Sequence, residues 1–217
     1  MVDDGELTRW RAVLERLVAA RPSDDDSHDV HHCRRVWTLC RRIADGEGVA
    51  VDRLVLLAGA YLHDIVNPPK DSPGRSRASR LSAQRASELL TELGFPEVKV
   101  PGVSHEIAAH SFSATIVAET IEAQILQDAD RMEALGAIGL ARVFYVAGRI
   151  GSRLFDPEDP FAERRPPDDR GFAVDHFKLK LLRLPAQMNT RTARRVAAER
   201  AAVLERYLED LAVELRA

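Results

Sequence analysis

The chain has 217 residues, the length of one domain, and its 45% of apolar side chains can build a sizeable core. A net charge of −3 gives no basic surface for nucleic acid, and the longest apolar runs fall short of the roughly 20 residues that cross a bilayer. The acidic first residues also lack the profile of a signal peptide. We therefore expect a cytoplasmic protein without a nucleic-acid or membrane partner.

Both cysteines, Cys33 and Cys40, lie on one predicted helix. By helical rise their Cα atoms are about 10 Å apart, which is too far for a disulfide. Two free thiols fit the reducing conditions of the cytoplasm.

Apolar side chains recur at helical spacing along most of the chain. We expect Ser27 or Asp26 to cap the second helix and Asp52 to cap the third. Pro101 and Gly102 should break the fifth helical stretch. No segment alternates as a strand does and no repeat occurs, so the sequence predicts an all-α fold. Helices are predicted over residues 7–18, 28–44, 54–64, 79–93, 119–136, 137–147, 176–184 and 190–215.

Two stretches rich in proline, glycine and charge interrupt these helices. Residues 67–74 directly follow a His-Asp pair, so they are placed to form a rim or a lid. Residues 148–171 are predicted to form a long loop, and loops of this length in compact domains are often lids or disordered.

The His-Asp pair, His63-Asp64, closes an unbroken apolar run over residues 54–62 that is too apolar all round for a surface helix. Burying an imidazole and a carboxylate at its end costs several kcal/mol unless something satisfies them, and a divalent metal ion is one such thing. The alternative is a solvent-facing helix end that happens to carry these two residues.

Two other segments supply residues of the same chemistry. His28, His31 and His32 begin the second helix, and periodicity does not choose among them. Asp128 and Asp130 lie in an apolar helical pattern, about 200° apart round the helix, so both cannot easily face one ion. Two His and two Asp from three helices would suit Mn, Fe, Co, Ni or Mg. The alternatives are a solvated histidine cluster and a surface Asp–Arg pair.

Taken in order, these motifs resemble the HD-domain metal-dependent phosphohydrolase superfamily, and more narrowly the small stand-alone bacterial HD hydrolases. The resemblance covers residues 25–200 and implies an HD-domain helical bundle. It implies a single domain over 1–217, with the motif core at 25–140 and the C-terminal helices 172–215 packing on it. The motifs are His28-Asp29-x-x-His32-x-x-Arg35-Val36, Leu62-His63-Asp64, His110-Ser111-Phe112-Ser113, Gln127-Asp128-Ala129-Asp130-Arg131, Leu135-Gly136-Ala137-Ile138-Gly139 and Met188-Asn189-Thr190.

The resemblance, carried over position by position, implies the roles of the site residues. As metal ligands it gives His32, His63, Asp64 and Asp130. Given these ligands, we expect Asp64, His110 and Arg131 to be catalytic. We expect the cations Arg35, Lys70 and Lys178, together with Arg131, to bind substrate phosphates, and His28, Asp29 and Asp128 to support the ligands from behind.

Some of these roles have alternatives. His110 could instead be a core histidine bonded to a carbonyl, and each cation could belong to a structural ion pair. The chain also departs from the family in two places that bear on substrate contacts. Glu133 stands where relatives often have Asp, and Asn67-Pro68-Pro69 replaces a loop that is more often acidic or aromatic.

The resemblance implies hydrolysis at phosphorus by a metal-activated water. The expected substrate is a phosphorylated small molecule, a nucleotide first, and the expected cofactor is a divalent ion (Mn, Co, Ni, Mg or Fe). One competing hypothesis is a non-catalytic module that senses a metal ion or a nucleotide. Another is an oxygen-using di-iron enzyme, which would need more histidine ligands. The apolar last helix either covers the core or pairs with a second copy, so a homodimer stays open.

Overall fold

The computed structural model describes residues 4–20, 29–67, 77–111 and 114–216. Within this part of the chain no strand occurs, although Arg153 and Phe172 pair in an isolated bridge. None of the described helices combines the length and the apolar character that a membrane span requires. The predicted all-α fold is confirmed. The helices are α1 (Asp4–Ala19), α2 (Val30–Glu47), α3 (Arg53–Leu62), α4 (Ala78–Glu92), α5 (Val100–His110), α6 (Ile121–Met132), α7 (Gly136–Ile150), α8 (Asp175–Leu179) and α9 (Arg191–Glu214).

The chain divides into two compact units, unit 1 (Met1–Asp130) and unit 2 (Arg131–Ala217), with the boundary inside α6. Unit 1 contains α1 to α5 and most of α6. Unit 2 contains α7 to α9 and the loop that joins α7 to α8. The single domain implied by the family resemblance stays a prediction.

Helix α3 is the centre of unit 1. Every residue from Leu54 to Leu62 is buried, and the helix packs against α1, α2 and α5. Contact on several sides explains why the helix is apolar all round. As predicted, Asp52 caps its N-terminus, and the carboxylate accepts from the backbone N–H groups of Leu54 and Val55. The chain therefore leaves the core at His63 and Asp64.

Helix α2 begins later than predicted. Its N-cap is Asp29, whose carboxylate accepts a hydrogen bond of 2.9 Å from the backbone N–H of His32. A capping side chain bonds the N–H two or three residues further on, so a helix whose first turn carries His32 takes its cap from Asp29. The caps expected from sequence, Ser27 and Asp26, were wrong; both positions lie outside the described residues.

Helix α5 is continuous, so the predicted break at Pro101 and Gly102 was wrong. Pro101 lies in the first turn, where the N–H that proline lacks has no helical partner in any case. Gly102 faces Val55 of α3, and a Cβ at this glycine would lie 3.4 Å from the Val55 side chain. The helix therefore runs unbroken to His110.

The crossing of α3 and α5 is closest at Gly59, where a Cβ would lie 2.1 Å from Oε1 of Glu106. Glu106 is fully buried, and neither carboxyl oxygen has a hydrogen-bond partner of good geometry among the described residues. Burial, reinforced by the charges of Glu122 and Asp52, raises the pKa of Glu106 well above its ordinary value, and contact with the Gly59 backbone offsets this only in part. The carboxyl group is therefore held in its neutral form.

In unit 2, α7 and the 3-10 segment Leu181–Gln187 both pack against α9. The helix predicted over 176–184 is shorter than expected, because α8 ends at Leu179 and the 3-10 segment, which contains Pro185, follows it. Thr190 caps α9, and its hydroxyl accepts from the backbone N–H of Ala193.

The loop between α7 and α8 is held by a group of side chains that we call the loop clasp: Asp159, Arg165, Phe172 and Asp175. Arg165 donates to both carboxylate oxygens of Asp175, at 2.5 and 2.9 Å, and its guanidinium lies 4.5 Å from the centroid of the Phe172 ring. Asp159 accepts from the three backbone N–H groups of residues 163–165 at 2.8 to 3.1 Å. The predicted loop is thus fixed by its own side chains.

The two cysteines are free and buried on α2. The thiol of Cys33 donates to the carbonyl of Tyr61 at 3.6 Å. Burial raises the pKa of Cys33 to about 12 and the pKa of Cys40 well above its ordinary value. Both side chains therefore stay protonated at neutral pH.

Candidate metal centre

Three helices of unit 1 bring His32, His63 and Asp130 together. His32 lies in the first turn of α2, His63 follows the last residue of α3, and Asp130 lies near the end of α6. Nε2 of His32 and Nε2 of His63 are 3.1 Å apart, and Oδ1 of Asp130 lies 3.6 and 3.7 Å from them. One ligand atom from each residue lies within 4.8 Å of the other two.

The ring of His63 is fixed by a bond to its own helix. Nδ1 lies 3.1 Å from the carbonyl oxygen of Ala60. Because a carbonyl can only accept, Nδ1 carries the hydrogen and Nε2 presents its lone pair to the centre. Burial, the largest cause, lowers the pKa of His63 to about 4, so the ring is neutral near pH 7. A neutral imidazole with a free Nε2 lone pair is the form that binds metal ions.

Asp130 supplies the negative charge at this point. Its side chain is 28% exposed, while both histidines are fully buried. Burial would raise the pKa of Asp130, but the neighbouring His63, His110 and His32 outweigh it, so the pKa is lowered and the group is a carboxylate. The centre therefore combines two imidazole nitrogens with an ionised oxygen ligand.

Asp64 and His110 lie beside these three residues. Oδ2 of Asp64 is 3.7 Å from Nε2 of His63, and Oδ1 is 3.6 Å from Nε2 of His110. Nδ1 of His110 bonds the carbonyl oxygen of Ile107 at 2.7 Å, so its Nε2 faces Asp64. Burial lowers the pKa of His110, but Asp64 and Asp130 outweigh it and raise the pKa above its ordinary value. Asp64 thus lies between His63 and His110.

One residue of this region was given no role from sequence. Gln127 is buried on α6, and its Nε2 donates to the carbonyl oxygen of Ala109 at 2.8 Å. It belongs to the segment Gln127–Arg131, in which only the charged residues drew attention. A polar amide within an apolar helical pattern is the signal that could have identified it, because a buried amide needs a partner.

The remaining predicted residues of unit 1 are partly placed. Asp29 reaches His32 through the backbone N–H of that residue. Asp128 is fully buried on α6, and Arg35 is half-buried on α2. His28 and Lys70 lie outside the described residues. The roles given to all five stay predictions.

Two predicted cations lie in unit 2. Arg131 donates to the carbonyl oxygen of Gln187 at 3.0 Å, and Lys178 donates to that of Ala162 at 3.1 Å. Glu133, the departure noted from sequence, lies 4.0 Å from Arg200. These contacts give Arg131 and Lys178 structural partners within unit 2, and their catalytic and substrate-binding roles stay predictions.

An all-α fold in which a His, a His-Asp pair and a later Asp meet at the ends of three helices defines the HD class of domain. A sequence model of this family, HD domain, matches residues 29–135, which include all five residues of the centre. The chain is also 32% identical over 210 residues to the uncharacterized protein YpgQ of Bacillus subtilis (strain 168), with 95% of this chain and 93% of YpgQ covered. The chain belongs to the HD-domain family.

Solved structures agree with this assignment. An HD-superfamily hydrolase from Bacillus thuringiensis is 30% identical, with a TM-score of 0.74, and the match covers 97% of this chain and 99% of that one. The crystal structure of B. subtilis YpgQ in complex with ADP is also 30% identical, with a TM-score of 0.72 and coverage of 96% and 94%. These relatives show that the chain has the fold of the HD superfamily.

Proposed function

We propose that this protein is a metal-dependent phosphohydrolase that acts on a nucleotide, as a nucleoside triphosphate pyrophosphohydrolase or phosphatase. The observation that carries the proposal is the approach of two buried imidazole Nε2 atoms, of His32 and His63, to 3.1 Å of each other beside the Asp130 carboxylate. Two ligand nitrogens at about 2.1 Å from one ion and at right angles stand about 3 Å apart. The spacing therefore fits a shared ion.

His32, His63, Asp64 and Asp130 would hold that ion. The donor set is two imidazole nitrogens and two carboxylate oxygens, which suits Mn, Fe, Co, Ni or Mg better than a sulfur-preferring metal. When bound, a divalent ion supplies an activated water and polarises a phosphoryl oxygen. The chain's own groups must then orient the substrate and move protons.

We propose Asp64 and His110 as the groups that transfer protons. Because Nδ1 of His110 is engaged by the carbonyl of Ile107, this side chain takes up or releases a proton only at Nε2, the atom that faces Asp64. We assign Asp64 to accept the proton of the attacking water and His110 to contact the leaving oxygen. Arg35, Lys70, Arg131 and Lys178 are the cations proposed to bind phosphate groups.

The choice of a nucleotide rests on a relative. YpgQ of B. subtilis has been crystallised with ADP, and this chain matches that structure over almost its whole length. The B. thuringiensis relative is an HD-superfamily hydrolase. Both observations support a hydrolase for which a nucleoside polyphosphate is the first substrate to test.

The test is the hydrolysis of dNTPs by the Mn-loaded protein, stopped with a chelator and followed by phosphorus NMR. We expect equal amounts of pyrophosphate and nucleoside monophosphate, and no product from Asp64→Ala. Asp45→Ala is the matched control, because Asp45 is exposed and its ion pair among the described residues is a surface contact with Arg53. It should keep full activity.

Other outcomes have distinct meanings. Inorganic phosphate in place of pyrophosphate would identify a phosphatase. If neither nucleotides nor simple phosphoesters give a product with Mn, Co, Ni or Mg, the proposed hydrolase activity is wrong. Nucleotide binding with no turnover would support the sensing module instead.

A further inference from the structure

The end of α5 is held by two side-chain bonds. The last carbonyl groups of an α-helix have no partner within the helix. In α5 one of them, Ile107, accepts from Nδ1 of His110 at 2.7 Å, and another, Ala109, accepts from Nε2 of Gln127 at 2.8 Å. The first bond fixes the imidazole to its own helix. The second fixes the last turn of that helix to α6.

Gln127 lies one helical turn before Asp130 on α6. Its side chain is 7% exposed, and a buried amide that lost its partner would be left unsatisfied at a cost of about 1 to 3 kcal/mol. One helix thus carries both a metal ligand and the residue that grips the end of α5.

We propose that Gln127 is a positioning residue that sets Nε2 of His110 against Asp64 and the metal centre. The His110 ring cannot turn freely, because Ile107 holds it, so its location follows the last turn of α5. The distance from Nε2 of His110 to Oδ1 of Asp64 is 3.6 Å, slightly longer than a hydrogen bond, so a small shift of this turn makes or breaks that contact. This inference rests on the proposed function for its effect on turnover.

Gln127 acts through His110 and not through the metal ion. Its amide nitrogen donates to Ala109, and the possible ligand atoms that converge belong to His32, His63 and Asp130. Removing the amide should therefore leave Mn affinity and the KM for substrate close to those of the parent. The turnover number should fall about a hundredfold, the order of loss that a misplacement of about 1 Å produces.

The experiment compares Gln127→Met, which keeps length and loses the donor, with Gln124→Met. Gln124 is on the same helix and donates to the carbonyl of Ala118 at 3.2 Å, so the control removes a bond of the same kind that does not touch α5. Each variant is made in the parent and in His110→Ala. We expect Gln127→Met to lower kcat about a hundredfold in the parent and by less than about threefold in His110→Ala.

Two kinetic results would overturn the inference. One is equal loss in the two backgrounds, which would mean that Gln127 does not act through His110. The other is a loss with Gln124→Met as large as that with Gln127→Met, which would reduce the effect to general destabilisation. A weakened affinity for Mn in Gln127→Met, measured by titration calorimetry, would also contradict it.

A readout independent of turnover separates this inference from the proposed function. In protein labelled with 15N-histidine and loaded with Mg, the Nδ1–H resonances of His110 and His63 report the two ring bonds. Gln127→Met should shift or broaden the His110 resonance and leave that of His63 unchanged, while Gln124→Met should affect neither. An unmoved His110 resonance rejects the positioning role, even if the protein proves to hydrolyse nucleotides. A shifted resonance in a protein without hydrolase activity rejects the proposed function alone.

Discussion

The loop clasp of unit 2 and the His/Asp centre of unit 1 both place ionisable side chains out of water, and they satisfy them by different means. In the clasp, each carboxylate accepts hydrogen bonds from donors of the chain. The carboxylate of Asp175 receives two bonds from Arg165 and one from the backbone N–H of Asp168, and Asp159 receives three backbone N–H groups. Both carboxylates are thus satisfied within the chain, while Nε of Arg165 lies 3.4 Å from Oδ2 of Asp156 without a hydrogen bond of good geometry among the described residues.

In the centre, ligand atoms converge on one another instead. The distances from Oδ1 of Asp130 to the two histidines, 3.6 and 3.7 Å, exceed those of hydrogen bonds. The two imidazoles approach through the atoms that bind metals. The difference teaches that the burial of charged groups does not by itself mark a functional site. What distinguishes the centre is that possible ligand atoms of three residues converge, two of them imidazole Nε2 atoms 3.1 Å apart.

Glu106 shows a third means. It is as deeply buried as His32 and His63, but it faces the backbone of Gly59, and its raised pKa lets it stay neutral by keeping a proton. A buried carboxyl group therefore needs neither a metal ion nor a cationic partner when protonation is available to it. Substitutions in the His/Asp centre, in the loop clasp and at Glu106 should therefore differ in their effects on metal binding, on stability and on the pH dependence of stability.

The largest effect should come from Asp130→Ala. Metal-dependent hydrolysis should fall by more than about a hundredfold, the loss that even an outer residue of a metal site can cause. Mn at a hundred times its Kd should stabilise the parent by about 2.7 kcal/mol and should not stabilise the variant. Thermal unfolding of parent and variant with and without Mn measures the stabilisation, and phosphorus NMR measures the hydrolysis. A variant that the ion still stabilises would remove Asp130 from the ligand set.

Arg165→Met in the loop clasp should lower stability without changing metal binding. It leaves the buried carboxylate of Asp175 without its cation, so the melting temperature should fall by several degrees with or without metal ion, while Mn affinity is unchanged. Arg195→Met is the matched control, because within the described part of the chain Arg195 pairs with Glu199 on the exposed face of α9. Equal melting temperatures for the two variants would contradict a structural role for the clasp.

Gly59→Ala should destabilise unit 1 by about 1 to 3 kcal/mol, because the new methyl group meets the Glu106 carboxyl. Adding Glu106→Ala should recover part of this loss by clearing the space. Gly148→Ala is the control: a Cβ there has nothing within 4 Å, and alanine favours a helix. Urea denaturation of the parent, Gly59→Ala, Glu106→Ala and the double variant measures the coupling between the two positions. Strictly additive changes in the free energy of unfolding would exclude the contact.

The smallest effect should be on the way the free energy of unfolding changes with pH. The pKa of Glu106 is raised in the folded chain, so above about pH 4.5 the unfolded chain releases the proton that the folded chain retains. Stability contributed by this group is therefore complete below that pH and declines as pH rises toward the folded pKa, by at most about 1.4 kcal/mol per unit. Glu106→Gln should flatten the decline, and the exposed control Glu97→Gln should not. Parallel stability curves for parent and Glu106→Gln would show that Glu106 is not protonated in the folded chain.

The features that could be predicted from the sequence are those that depend on interactions between residues close together in the chain. The buried run of α3 and its cap at Asp52 follow from composition and from neighbours two and three residues away, and both were predicted. The cap of α2 was wrong because several capping residues precede that helix and only the register of His32 selects Asp29. The break at Pro101 was wrong because its effect depends on which turn of the helix it occupies.

The centre itself was accessible only in part. Periodicity showed that His63-Asp64 ends a buried helix, but only the family resemblance selected His32 and Asp130, and their convergence needed the structure. Gln127 was missed because its partner, Ala109, is a backbone carbonyl 18 residues away, and nothing in a sequence marks which carbonyl a side chain will bond. The pairing of Arg165 with Asp175 was also missed, because several acidic residues lie close to Arg165 in the sequence and nothing in the pattern selects one of them.

The state of the two thiols has a practical consequence for spectroscopy. Maleimide and iodoacetamide dyes react with thiolates, and Cys33 and Cys40, being covered and protonated, offer almost none. A fluorophore or spin label can therefore be attached to a cysteine introduced on the surface without first replacing the native pair. The wild-type background thus suits distance measurements that follow substrate binding in solution.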